Sequence, residues 1–114
     1  MNDFSTKAAL SLPRKRLLEA MQRLNFGSIE DLEVRGGEPV FSQAAPRITQ
    51  DIKIGAANGP RLEAEKDNFL LKTAIIELFA HLNRIDHGSV AKIEVRHGLP
   101  FRLVVAHASL ETLR

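Results

Sequence analysis

Three cations stand side by side in Pro13-Arg14-Lys15-Arg16, at what reads as the first turn of a helix. Unpartnered backbone N–H groups already make that end of a helix partly positive, so each cation there costs about 0.3–1 kcal/mol before screening. An anion would reverse the sign, because phosphate and carboxylate groups settle on helix N-termini and basic side chains add to their hold. Arg14, Lys15 and Arg16 are therefore candidate anion or nucleic-acid contacts, with a solvated basic turn as the plain alternative. Two further arginines, Arg35 and Arg96, each close a Glu-Val-Arg phrase. On the outward side of a strand the pair would offer planar forks to phosphate or carboxylate. The competing reading is a ladder of cross-strand ion pairs with Asp51, Lys53 or Arg102, which also discourages edge-to-edge association.

Other chemistry finds less support in the residues. His81, His87, His97 and His107 contain no i, i+4 helical pair and no His-x-His, so nothing predicts the convergence of three or four ligands that a metal needs. Ser28 and Ser89 follow glycines and lie in no G-x-S-x-G elbow; a small hydroxyl there suits a free backbone group. Neither Arg-Gly-Gly-Glu nor Gly-Ala-Ala-Asn-Gly-Pro has the spacing of a phosphate-binding loop. There is no cysteine, hence no disulfide, thiolate nucleophile or sulfur ligand. The chain has no Trp or Tyr and six Phe, which leaves little for stacking on bases, although contact with a duplex backbone stays open. The expectation is a non-catalytic protein without cofactor or metal.

The candidates sit within a phrase written twice. Gly27 to Pro39 reads GSIEDLEVRGGEP and Gly88 to Pro100 reads GSVAKIEVRHGLP, identical at seven of thirteen positions. Upstream, LLEAMQRLN (17–25) lines up with IIELFAHLN (75–83), with a connector three residues longer in the second copy. Pro13 suits the first turn of one helix, whose stripe is Leu17, Leu18, Met21 and Leu24, and Gly27 suits a left-handed position ending it. A second helix runs from about Asp67 to Ile85. Leu71, Ala74, Ile75, Leu78, Leu82 and Ile85 form its apolar stripe, and Phe69, Ile76 and Phe79 widen the face until it wants cover on more than one side.

After each glycine, Leu32 and Val34, or Ile93 and Val95, alternate with charged residues at the period of a half-buried strand. Gly36-Gly37 and His97-Gly98 fit two-residue hairpin turns with positive φ at both positions, in a register that sets Val34 against Pro39 and Val95 against Pro100. Phe41 and Phe101 fall on the return strands. Arg47 to Ile54 alternates as a fifth strand, and Gly55 to Pro60 leads on to the second helix. The order α-β-β-β-α-β-β predicts an α+β fold: internally duplicated α-β-β units, a mostly antiparallel sheet and two helices on one face. Residues 1–12 read as a flexible arm, 13–107 as one pseudo-symmetric domain with repeats at 13–42 and 67–107, and 108–114 as a tail.

The stretch LNFGSIEDLEVRGGEP resembles the helix-to-hairpin segment of the YezD-like small bacterial proteins, where an α-β-β unit carries a similar aromatic-Gly-Ser-aliphatic motif and a tight turn. The likeness covers about thirty residues of each half; Pro39 and Pro100 are not part of that pattern. It implies a bacterial α-β-β building block and transfers no catalytic residue, since the family has no established activity.

Length and composition agree with one ordinary domain of 114 residues, 44% hydrophobic and 26% charged. Sixteen basic against fourteen acidic side chains leave a net charge of only +2, so the distribution of charge matters more than its sum. No apolar run reaches the roughly 18 residues of a membrane span, and cytoplasmic residence is the default expectation. The function expected is that of an interaction protein, homo-oligomeric through its broad second helix or its hairpin edges. The alternative is a nucleic-acid-associated regulatory module using the basic helix start.

Overall fold

The computed structural model of the chain describes residues 6–42, 45–55 and 72–113. The first helix, α1 (Leu12–Leu24), starts where the Ser11 hydroxyl accepts the Arg14 N–H at 3.4 Å, with Pro13 in its first turn. That proline occupies a position where a missing donor costs nothing. Asn25 ends α1 at φ 65°, and Asp86 ends the second helix, α2 (Thr73–Ile85), at φ 62°. The expected left-handed glycine is thus replaced by Asn and Asp, the non-glycine residues that best tolerate positive φ. Gly27 opens the first strand instead, and a β-carbon there would strike the Thr49 carbonyl oxygen. Glycine is needed for the approach of two strands.

Five strands follow: β1 (Gly27–Arg35), β2 (Glu38–Val40), β3 (Arg47–Gln50), β4 (Gly88–Arg96) and β5 (Leu99–Ala106). They form one antiparallel sheet in the order β2-β1-β4-β5, and β3 pairs with the first half of β1 while β2 pairs with its last residues. Both hairpin turns have the expected positive φ, at Gly36 and Gly37 and at His97 and Gly98. Val34 faces Pro39 and Val95 faces Pro100, the register that the turns demanded. Strand β3 is shorter than the 47–54 pattern of the sequence, since Ile52 and Ile54 lie past its end and are exposed.

The two α-β-β segments share the bounds of their helix and first strand, while their return strands differ in length. Leu12 and Thr73, Leu24 and Ile85, Gly27 and Gly88, and Arg35 and Arg96 mark matching element ends, and each pair lies 61 positions apart. The three-residue difference in connector therefore disappears: α2 ends as close to its glycine as α1 does, and Leu18, not Met21, corresponds to the buried Phe79. At the centre of the sheet β1 and β4 pair with Gly27 against Val95, Ile29 against Ile93, Leu32 against Val90 and Val34 against Gly88. Exchanging the two segments reproduces that register. The same exchange relates two tying hydrogen bonds, Gly37 N–H to Asp86 O at 3.0 Å and Gly98 N–H to Asn25 O at 2.9 Å.

Both helices cover one face of the sheet. Leu17, Leu18, Met21 and Leu24 of α1 and Ile75, Leu78, Phe79 and Leu82 of α2 join Ile29, Leu32, Val34, Val90, Ile93 and Val95 in a single core. Strict alternation would turn Ile29 and Leu32 to opposite sides. They share the core because Asp31, at φ 60° and outside the paired register, shifts the strand by one residue. The α+β architecture, antiparallel sheet and one-sided helices of the expectation are all present.

Residues 6–12 differ from the flexible arm expected of them. Lys7–Ala9 make one 3-10 turn, Leu10 enters the core, and buried Lys7 reaches the Glu19 carboxylate at 2.7 Å. An apolar side chain and a paired cation fasten this segment to α1. Asp67, Phe69, Leu71 and the loop residues 56–60, which entered the expectation for the second helix and its approach, lie outside the described residues.

Candidate functional site

The basic start of α1 divides once it is folded. Arg14 is 2% exposed, and its Nη2 donates to the Gly37 carbonyl at 3.0 Å and to Asn83 Oδ1 at 2.6 Å. Its Nη1 lies 3.7 Å from a carboxylate oxygen of Glu38, and its guanidinium carbon lies 5.6 Å from the centre of the Phe79 ring. Glu38 also accepts from the capping hydroxyl of Ser11 at 2.5 Å. Arg14 therefore ties α1 to the first hairpin turn and to α2, which takes it out of a solvent-facing anion site. Lys15 is half-buried and Arg16 exposed. The helix start that sequence read as three cations presents two.

Arg35 and Arg96 are exposed at the ends of β1 and β4. Because those strands run antiparallel in the register above, the two arginines stand at opposite ends of the sheet. Nine residues at ~3.3 Å each put them roughly 30 Å apart, too far to grip one phosphate. Each has a local partner. Arg35 Nε donates to Glu33 at 2.7 Å, and the Arg96 guanidinium stacks 4.1 Å above the Phe101 ring.

The face of the sheet away from the helices carries the ion-pair ladder. Arg102 Nε lies 2.9 Å from Glu94, and Arg47 Nη2 donates to Glu30 at 2.7 Å. Ser28 bonds both Glu30 and Thr49. The Arg47 hydrogen bond is the leading cause that holds the Glu30 carboxyl below its ordinary value, against an opposing desolvation effect; the same bond raises Arg47. A carboxylate depressed in the folded state contributes stability above its unfolded pKa and loses it as the pH falls through the folded one. Acidification below the ordinary carboxylate range is accordingly expected to loosen β3 before the rest of the sheet. Amide exchange at 47–50 should accelerate ahead of exchange in β4; equal acceleration in both would contradict the assignment.

The sheet has two unlike edges. On one side β2 spans three residues with Pro39 among them, and β3 spans four, so neither offers a long run of free backbone groups. On the other side β5 spans eight residues with Pro100 at its turn end, and among the described residues no strand pairs with the outer edge of the six that follow it, 101–106. Its one charged residue, Arg102, is already neutralised by Glu94. Phe101 is 57% exposed and Val104 36% exposed along it. No described group of three or more His, Asp or Glu side chains is placed to hold a metal ion. Among the described residues no helix is long and apolar enough to cross a membrane.

These features define an α+β protein with a two-helix layer on one side of an open sheet and a long unpaired edge. No family model, curated protein or solved structure matches the chain.

Proposed function

We propose that the chain is a non-catalytic binding protein that acts as a homo-oligomer, two copies joining along β5. The observation that carries this reading is the eight-residue edge with exposed Phe101 and Val104 and no uncompensated charge. Natural edges are usually blunted along their run by lysine, proline or a covering segment, because their N–H and C=O groups recruit any strand of matching register; the one proline of β5, Pro100, sits at its turn end and leaves 101–106 clear. Two β5 strands meeting antiparallel would continue the sheet across a two-fold axis, so each copy presents the same surface to the other. On the same reading the two α-β-β segments are tandem copies of one ancestral unit of the kind the YezD-like resemblance implies. The constant separation of 61 positions and the exchangeable β1–β4 register support this part.

Light scattering on the chain, whose mass is 12.7 kDa, should return twice that value at micromolar concentration. Val104→Lys sets a charge on the edge without touching the core and is expected to return the monomer with an unchanged circular dichroism spectrum. A wild-type chain that stays monomeric up to millimolar concentration would remove the proposal.

A further inference from the structure

The end of α2 and the end of β5 leave a corner of the molecule open. Between them, with the first residues of β4 and the 110–112 turn, lies a cleft of about 620 Å³. That volume is within the ~300–1,000 Å³ common for small-molecule sites. Ile85, Val105 and Ala106 supply apolar wall, and the lining also holds His81 and Arg84 of α2, His87 of the connection to β4 and His107 just past β5. The corresponding corner at the end of α1 is closed by the chain itself. There Gln50 Nε2 donates to the Leu24 carbonyl at 3.3 Å, and the Asp51 N–H donates to Phe26 O at 2.8 Å.

The hydrogen bonds define what two of the imidazoles offer. Thr112 Oγ1 donates its proton to Ser109 O at 2.9 Å, so it must accept from His107 Nδ1, 3.0 Å away. Neutral His107 then carries its proton on Nδ1. His87 is the opposite case: its Nδ1 accepts the Gly36 N–H at 3.2 Å, which leaves the proton on Nε2 as a donor. Arg84 is the one permanent cation of the lining and Glu111 its one carboxylate, and no described carboxylate pairs with Arg84.

We infer that this cleft is a binding site for a small organic monocarboxylate with an apolar body, its carboxylate held by Arg84 and its body against Ile85 and Val105. A single fixed cation suits one negative charge, and the apolar wall suits a hydrocarbon or aromatic body over a bare oxyanion. Glu111 opposes a dianion and Arg84 opposes an organic cation.

The test is a titration of the full chain with benzoate at pH 7.5, followed through the ring resonances of the four histidines by nuclear magnetic resonance. His97 is the internal control, since it packs edge-on against Phe26 at 4.8 Å and is not part of the cleft. Benzoate is expected to shift His81, His87 and His107 saturably and leave His97 in place, and the exposed-site variant Arg84→Gln should weaken binding about tenfold. Benzylamine and inorganic phosphate serve as the organic cation and the bare oxyanion. Equal response to benzylamine, stronger binding of phosphate, shifts that include His97, an unchanged affinity in Arg84→Gln, or no saturable shift with tens of millimolar benzoate would each overturn the assignment.

Discussion

Phe79→Ala is expected to lower the stability of the folded chain by about 3–5 kcal/mol, the usual range for deleting a buried aromatic ring. Phe79 has no exposed surface and lies in α2 where that helix meets the shared core. Its loss removes apolar burial and leaves a hole that neighbouring strands, already held in register by their own ladder, fill only in part. A domain of this size has about 5–15 kcal/mol of stability in all, so the variant should unfold at markedly lower denaturant. Phe79→Leu keeps most of the volume and is expected to cost under about 2 kcal/mol. A loss below 1 kcal/mol for the alanine variant, measured by urea denaturation, would place Phe79 outside the core.

Arg14→Ala is expected to lower stability by about 3 kcal/mol, an unusual size for an arginine, since surface substitutions mostly fall within ~0.5 kcal/mol. The charged side chain is buried, donates to Gly37 O and Asn83 Oδ1, and covers Phe79. Charge-assisted hydrogen bonds contribute ~1.5–3 kcal/mol, and the aliphatic stem adds packing of its own. Arg14→Lys keeps the charge but lacks the planar fork that reaches two acceptors from one nitrogen cluster, so it should recover only part of the loss. Asn83→Ala combined with Arg14→Ala should cost less than the two single changes together, because they share one interaction. If Arg14→Ala proves neutral in thermal melts, the guanidinium is in solvent and the anion-binding reading of Pro13-Arg14-Lys15-Arg16 returns.

These two variants bear on function through what they leave untouched. Neither Phe79 nor Arg14 lies on the β5 edge or in the histidine-lined cleft. A conservative change such as Phe79→Leu should therefore weaken folding without altering oligomer mass or benzoate response. Val104→Lys should halve the oligomer mass without weakening folding.

Features governed by neighbours a few residues away were legible in the amino-acid order. Pro13 marks a helix start, the turns at 36–37 and 97–98 follow from residues that accept positive φ, and alternation identifies β1 and β4. The shift at Asp31 was not legible in the sequence, where alternation runs only from Leu32 onward. The exchangeable pairing of β1 with β4 needed the whole chain, and with it the separation of Arg35 from Arg96. Arg14 carries the same side chain whether it faces water or the Gly37 carbonyl, so its place in a basic first turn suggested an anion contact or a solvated cation and not a buried tie. His81, His87 and His107 are separated by six and by twenty residues in sequence and meet through packing of α2, β4 and β5.

The amino-acid order by itself determined the elements, their turns and which face of each is apolar, because those depend on backbone sterics and side-chain period within about one turn or one strand. Tertiary structure alone decided which cations were withdrawn from solvent, which edge was left open and which histidines share a cleft. Those outcomes depend on distances between residues far apart in the chain, and such distances exist only after the helices close over the sheet.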